Sequence, residues 1–170
     1  MANMLTSVVV LAIAVVTVNG AIRVDDKRGF RYCPTPQLAQ IERVDVTGCN
    51  KWPCFLIPGR TGTFQITFTH NSEIPINNMI SSIYARVSLP VSNLGSGSTR
   101  VAMPRETKQP LCHLTNPGCP VYPNTRTSIS KTIIVPQQAR LVRGPMMVEF
   151  QVKDNLGRMV TCFMAPVFTN

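Results

Sequence analysis

Six cysteines constrain this chain more than any other feature: Cys33, Cys49, Cys54, Cys112, Cys119 and Cys162. What they can do depends on the redox compartment, and residues 8–18, VVVLAIAVVTV, bear on that. The run of eleven residues, apolar but for Thr17, is too short to span a bilayer, which takes about 20. Asn19-Gly20-Ala21 follows, and small Gly20 with Val18 two places before it predicts signal-peptidase cleavage after Gly20. Residues 1–20 then form a signal peptide and residues 21–170 the mature domain. MANMLTS carries no Lys or Arg, so the alternative is a buried amino-terminal strand or helix.

An even number of cysteines in an exported chain of this size implies disulfides. Cys49 and Cys54 enclose four residues including Pro53, and Cys112 and Cys119 enclose the turn-rich HLTNPG. Spacing favours both as local staples and leaves Cys33 and Cys162 to join the start of the domain to its end. Zinc coordination fits less well. It calls for two close ligand pairs, often with His, and only His70 and His113 are present. A redox centre would need Cys-x-x-Cys, which is absent.

Between the cysteines the apolar residues recur with a period of two. Phe64, Ile66 and Phe68 alternate with Gln65, Thr67 and Thr69; Ile83, Ala85, Val87 and Leu89 with Ser82, Tyr84, Arg86 and Ser88; Val148, Phe150 and Val152 with Met147, Glu149, Gln151 and Lys153. These are half-buried strands. In SISKTIIV, Ile129, Ile133 and Val135 keep phase while Lys131 interrupts. LAQIERVDV changes phase near Arg43, which predicts a bulge. RMVTCFMA reads as a last strand, joined by DNLG to the strand ending at Lys153. No helical period stands out, and fourteen prolines punctuate the chain. The pattern predicts an all-β domain, a sandwich of two antiparallel sheets. Pro90 to Pro110 reads as a long surface loop.

The net charge is +9, with Arg outnumbering Lys twelve to five and no run of five or six like charges. A basic exported protein can meet anionic lipid, glycans or microbial surfaces, or be basic with no fixed partner. Nucleic acid is not expected as a partner, since none of the usual motifs appears. Two histidines and six cysteines expected to be bonded leave little from which to build a nucleophile–base site, so neither an enzyme nor a cofactor or metal is expected.

FRYCPTPQLAQIERVDVTGCNKWPCFLIPG resembles the opening of the ML (lipid-recognition) domain family, which includes the Niemann–Pick type C sterol carrier, protein two, and the group two mite allergens. The shared features are Cys33, a strand to Val46, Cys49, Cys54 and Gly59. Cys112, a short loop and Cys119-Pro120-Val121 resemble the family's middle, and MMVEFQVKDNLGRMVTCFMAPV its paired last strands, with Phe150 where the sterol carrier has Trp. The resemblance covers about residues 30 to 168. It implies the pairing 33–162, 49–54 and 112–119. It also implies an immunoglobulin-like sandwich with an apolar cavity between the sheets.

From the family's function the resemblance implies a secreted lipid-binding or lipid-transfer protein, extracellular or in the endosomal–lysosomal lumen. The ligand would be a sterol, a fatty acid or the acyl chains of a glycolipid, and the protein would act as a monomer. The alternative is a secreted recognition protein for microbial or host glycolipid. Inward residues Phe64, Ile66, Phe68, Val87, Leu89, Ile133, Val135, Val148, Phe150 and Val152 are the cavity candidates, each with ordinary core packing as its other reading. Val135 stands out because it lies sixteen residues after Cys119, where the sterol carrier has a ligand-contacting Val. The sterol carrier's Tyr beyond that Val is missing; PQQARLVRG stands there. Arg100, Arg105 and Lys108 in the long loop, with Arg140 and Arg143 after Val135, are expected to make a basic rim that draws the mouth transiently to anionic membranes. Trp52 is expected on the turn closed by Cys49 and Cys54.

Overall fold

The structure is a computed structural model, and it describes residues 21–23, 30–47, 49, 53–89, 97–142 and 144–169. The signal-peptide segment 1–20, Trp52 and Arg143 lie outside the described residues, as does the side chain of Leu89.

In chain order the strands begin with β1 (Ala21–Arg23), β2 (Arg31–Tyr32), β3 (Ala39–Val46) and β4 (Cys54–Leu56). The long strands β5 (Thr61–His70) and β6 (Met79–Leu89) come next, then β7 (Gly97–Ala102), β8 (Gln109–Pro110) and β9 (Thr115–Asn116). The last three are β10 (Arg126–Ile134), β11 (Gly144–Asp154) and β12 (Met159–Thr169). They form two sheets, β1-β3-β5-β10-β9 and β2-β12-β11-β6-β7, with β8 extending the second along β6. Pairing is antiparallel except where β4 runs parallel to the end of β12.

Side-chain alternation decides which face of each strand meets the other sheet. On β5, Phe64, Ile66 and Phe68 are buried while Gln65 is exposed. On β11, Val148, Phe150 and Val152 are buried in the same way, and the Phe150 ring stacks on Phe163 of β12 at 5.6 Å. These inward residues form one continuous core. The bulge expected near Arg43 is present as a register shift between Ile41 and Arg43 in the β3–β5 pairing.

Two expectations need correction. Pro90–Pro110 is not all loop, since Gly97–Ala102 pairs residue for residue with Tyr84–Leu89 as an edge strand. An edge strand has one neighbour, and here its described side chains are all exposed, so no apolar alternation is required of it. Lys131 does not break the phase of its strand. Thr127, Ile129, Lys131 and Ile133 all point inward, and Lys131 is itself buried.

Polar groups close the ends of the sheets. Buried Asp154 accepts from the backbone N–H groups of Leu156 and Arg158 and pairs with the Arg158 guanidinium at 2.6 Å. That clamp shapes the DNLG hairpin, with Gly157 at φ +78°. On the outer face of the second sheet, buried Glu149 is met by Arg86 at 2.5 Å, Arg100 at 2.9 Å and Gln151 at 2.6 Å.

The disulfides join Cys33–Cys162, Cys49–Cys54 and Cys112–Cys119. The first closes a span of 129 residues and ties the amino-terminal segment along the edge of β12, where β2 pairs with it. There the Gln37 side chain mimics a strand, accepting from the Cys162 N–H at 2.7 Å and donating to its carbonyl at 3.0 Å. Replacing Cys33 and Cys162 together by Ser should lower unfolding free energy by about 2–5 kcal/mol, because so long a loop is otherwise free in the unfolded chain. Denaturant unfolding of the variant against the native protein measures this, and an unchanged midpoint would mean that the bridge adds nothing to the hydrogen bonds beside it.

Candidate functional site

The two sheets part toward the end of the sandwich where β6 and β12 finish and β11 begins. A cavity of about 300 Å³ opens there. Ala85 and Val87 of β6 and Met146 and Val148 of β11 form one wall, Leu56 and Thr169 flank it, and Val101 to Pro104 come from β7 and the segment after it. The opposite wall is the connection after β10, with Val135, Pro136, Ala139 and Val142.

That connection stands away from the second sheet because it is tied elsewhere. The Gly59 N–H donates to the Val135 carbonyl and the Val135 N–H to the Arg60 carbonyl, both at 2.9 Å. Glycine suits this position chiefly for its backbone. Its φ is +84°, and a Cβ would come within 2.3 Å of the Gln137 amide nitrogen. Beyond Pro136 the chain makes a short 3-10 helix, Gln137–Leu141, and the Thr169 hydroxyl donates to the Val142 carbonyl at its end.

Among the described residues only two lining side chains are polar, Gln138 and Thr169, and the Thr169 hydroxyl is already engaged. A space walled by Val, Ala, Met and Pro is costly to wet and favours an apolar guest. Leu141 and Ile57, beside these walls in sequence, are 85% and 62% exposed.

Of the residues expected from sequence, Val87, Val135 and Val148 line this cavity. Phe64, Ile66, Phe68, Ile133, Phe150 and Val152 do not; they are packed in the core, each at most 2% exposed. Strand phase assigns a face but not a depth along the strand, and the cavity lies at one end. Met146, two residues before Val148, could have been found by extending the same phase. The 3-10 helix carried no periodic signal.

Of the expected rim cations, Arg100 does not face the cavity. Arg100 points to the outer face, held by Glu149 and lying 3.4 Å over the Tyr84 ring. It alternates with Val101, which lines the cavity. Arg105, Lys108 and Arg140 are exposed.

No catalytic arrangement borders the cavity among the described residues. His70 is buried with its Nε2 donating to the Ile74 carbonyl at 2.8 Å, and His113 sits in the short turn Cys112–Leu114. Cys33, Cys162 and Glu149 approach one another within 4.8 Å, but the two sulfurs are bonded to each other and are not free thiolate ligands.

Comparison with known proteins agrees with this architecture. The family model of the ML domain matches residues 28–168. Among solved structures, a Niemann-Pick type C2 protein from the Japanese carpenter ant superposes with a TM-score of 0.61 at 15% identity, over 83% of this chain and 98% of that one. Spo0M, a sporulation control protein from Bacillus subtilis, gives 0.50 at 12% identity, over 79% of this chain and 50% of that one. At these identities the likeness is one of fold. No curated protein sequence matches.

Gly59→Ala should cost about 1–2 kcal/mol, chiefly from a non-glycine residue held at positive φ, because the Gln137 side chain can swing aside. Thermal melting checks the cost. A variant as stable as the native protein would show that this turn does not need its left-handed residue.

Proposed function

The chain belongs to the ML-domain family, a family of lipid-binding domains, and we propose that residues 21–170 form a secreted lipid carrier whose ligand lies in the cavity at the end of the sandwich. The single observation that carries this reading is the nearly unbroken apolar lining around about 300 Å³, set between the sheets and facing the Val135 connection. That volume is at the lower end of the range for small-molecule sites, roughly 300–1,000 Å³. It suits one acyl chain or one compact apolar body. Burying ~300 Å² of such a guest favours binding by ~7 kcal/mol at about 25 cal/mol per Å², less the cost of association.

Secretion is part of the same reading. Three disulfides suit an oxidising compartment, outside the cell or in an endosomal–lysosomal lumen. Cleavage after Gly20 would leave β1 whole, since β1 starts at Ala21 and pairs with Arg43–Asp45 of β3. The function is carriage rather than catalysis, with a sterol or another apolar lipid as cargo.

Protein expressed through a secretory pathway should begin at Ala21 and, on organic extraction, release an apolar lipid identifiable by mass spectrometry. Val135→Trp, which puts a large ring into the cavity, should weaken lipid binding at least tenfold, about 1.4 kcal/mol, with the melting temperature nearly kept. A protein that extracts empty, or a Trp variant that binds normally, contradicts the carrier. A variant that melts much earlier returns Val135 to the tight core, where overpacking costs roughly 1–3 kcal/mol. An acylated glycan in the extract would point to recognition of glycolipid instead.

A further inference from the structure

The cavity has a deep end and a mouth. Met103, Val135, Met146 and Val148 line it and are buried, whereas Val101, Pro104 and Gln138 line it and are exposed. Of its two polar side chains, Gln138 thus sits at the mouth, and Thr169 donates its proton to the Val142 carbonyl. A polar group carried to the deep end would lose its hydrogen bonds to water and gain none. A guest therefore lies with its apolar end inward.

The depth is set one step further along the strands. Val148 pairs with Ala85 across β11 and β6, and the next inward pair is Phe150 with Ile83. Neither of these lines the cavity, and both are 0% exposed. On the other sheet Val135 lines the cavity, while Ile133, two residues before it, is packed in the core. Ile83, Phe150 and Ile133 form the floor. Behind that floor the two sheets are pinned together. The Met103 N–H donates to the Ile83 carbonyl and the Ile83 N–H to the Glu106 carbonyl. Glu106 Oε2 in turn lies 3.0 Å from Nζ of Lys131, which points inward from β10 two residues deeper than Ile133. The two side chains are 14% and 8% exposed. Parting the sheets here to lengthen the cavity would separate two buried charges, which is strongly unfavourable.

The width is held as well. The connection carrying Val135 is bonded to Gly59 and Arg60 on one side and to Thr169 on the other. Met103 and Met146 can change rotamer to suit the shape of a guest, but this moves space about without adding much. Capacity is then the volume itself, about 300 Å³. A methylene takes up nearly the same space as a water molecule in the liquid, ~30 Å³, so about ten carbons fill the cavity. A sterol carries far more carbons than that.

We propose that this protein carries a single straight hydrocarbon chain of about ten carbons, tail inward with its polar end at Gln138, and that it excludes sterols. The inference rests on the carrier reading above and narrows its cargo to a medium-chain lipid.

The test is equilibrium binding of hexanol, octanol, decanol, dodecanol and hexadecanol, and of cholesterol, to the native protein. Affinity should rise about fourfold with each added methylene as far as decanol and then flatten, because further carbons emerge at the mouth into water. Cholesterol should bind weaker than decanol by roughly tenfold or more. Met146→Ala takes side-chain volume from the deep end and should move the break to dodecanol or beyond. Affinity that climbs at the same rate to hexadecanol, cholesterol that binds as tightly as decanol, or a break that Met146→Ala leaves in place would overturn the size limit while leaving the carrier intact. If neither the alcohols nor cholesterol bind, the carrier falls and this inference with it. Should the Met146 variant not fold, the series on the native protein decides alone.

Discussion

Two backbone hydrogen bonds set where the interior of this protein ends. They run between Gly59 and Val135 and between Val135 and Arg60, and they carry the end of β10 to the turn after β4. Were that connection free to fall onto the second sheet, Val135, Ala139 and Val142 would close over Val87 and Val148, and the apolar space would vanish into ordinary core. The turn that receives the bonds follows the Cys49–Cys54 bridge, and the far side of the connection is tied by Thr169. A staple, a left-handed glycine and three hydrogen bonds thus hold apart surfaces that the hydrophobic effect would otherwise bring together.

The strand-forming parts of this arrangement were legible because period-two patterning reports directly which face is buried. Phe64, Ile66 and Phe68 read as one face and pack as one. The bulge at Arg43 was visible as a change of phase, since one extra residue flips all that follow. Three features escaped that logic. Gly97–Ala102 is an exposed edge strand, so burial imposed no pattern on it. The cavity depends on position along the strands, which phase does not encode, and only Val87, Val135 and Val148 of the expected set reach it. The 3-10 helix is too short to show a period.

Charged residues were the least legible. Arg100 read as a loop cation near the mouth, yet strand pairing turns it outward to Glu149 and Tyr84. Lys131 read as a break in a strand, yet its inward direction is what the alternation demanded. An apolar residue there would pack with Ile129 and Ile133 at no cost in desolvation. The chain instead keeps a charge between the sheets with Glu106 to meet it at 3.0 Å.

The location of the ligand is the central claim, and methyl NMR of the protein titrated with an apolar lipid tests it most directly. The account predicts that the methyl resonances of Val87, Val135 and Val148 move on binding, while those of Ile76, Val121 and Val160, packed toward the other end of the sandwich, stay in place. Shifts centred on the latter three, or no shift at all with the lipid present in excess, would contradict it.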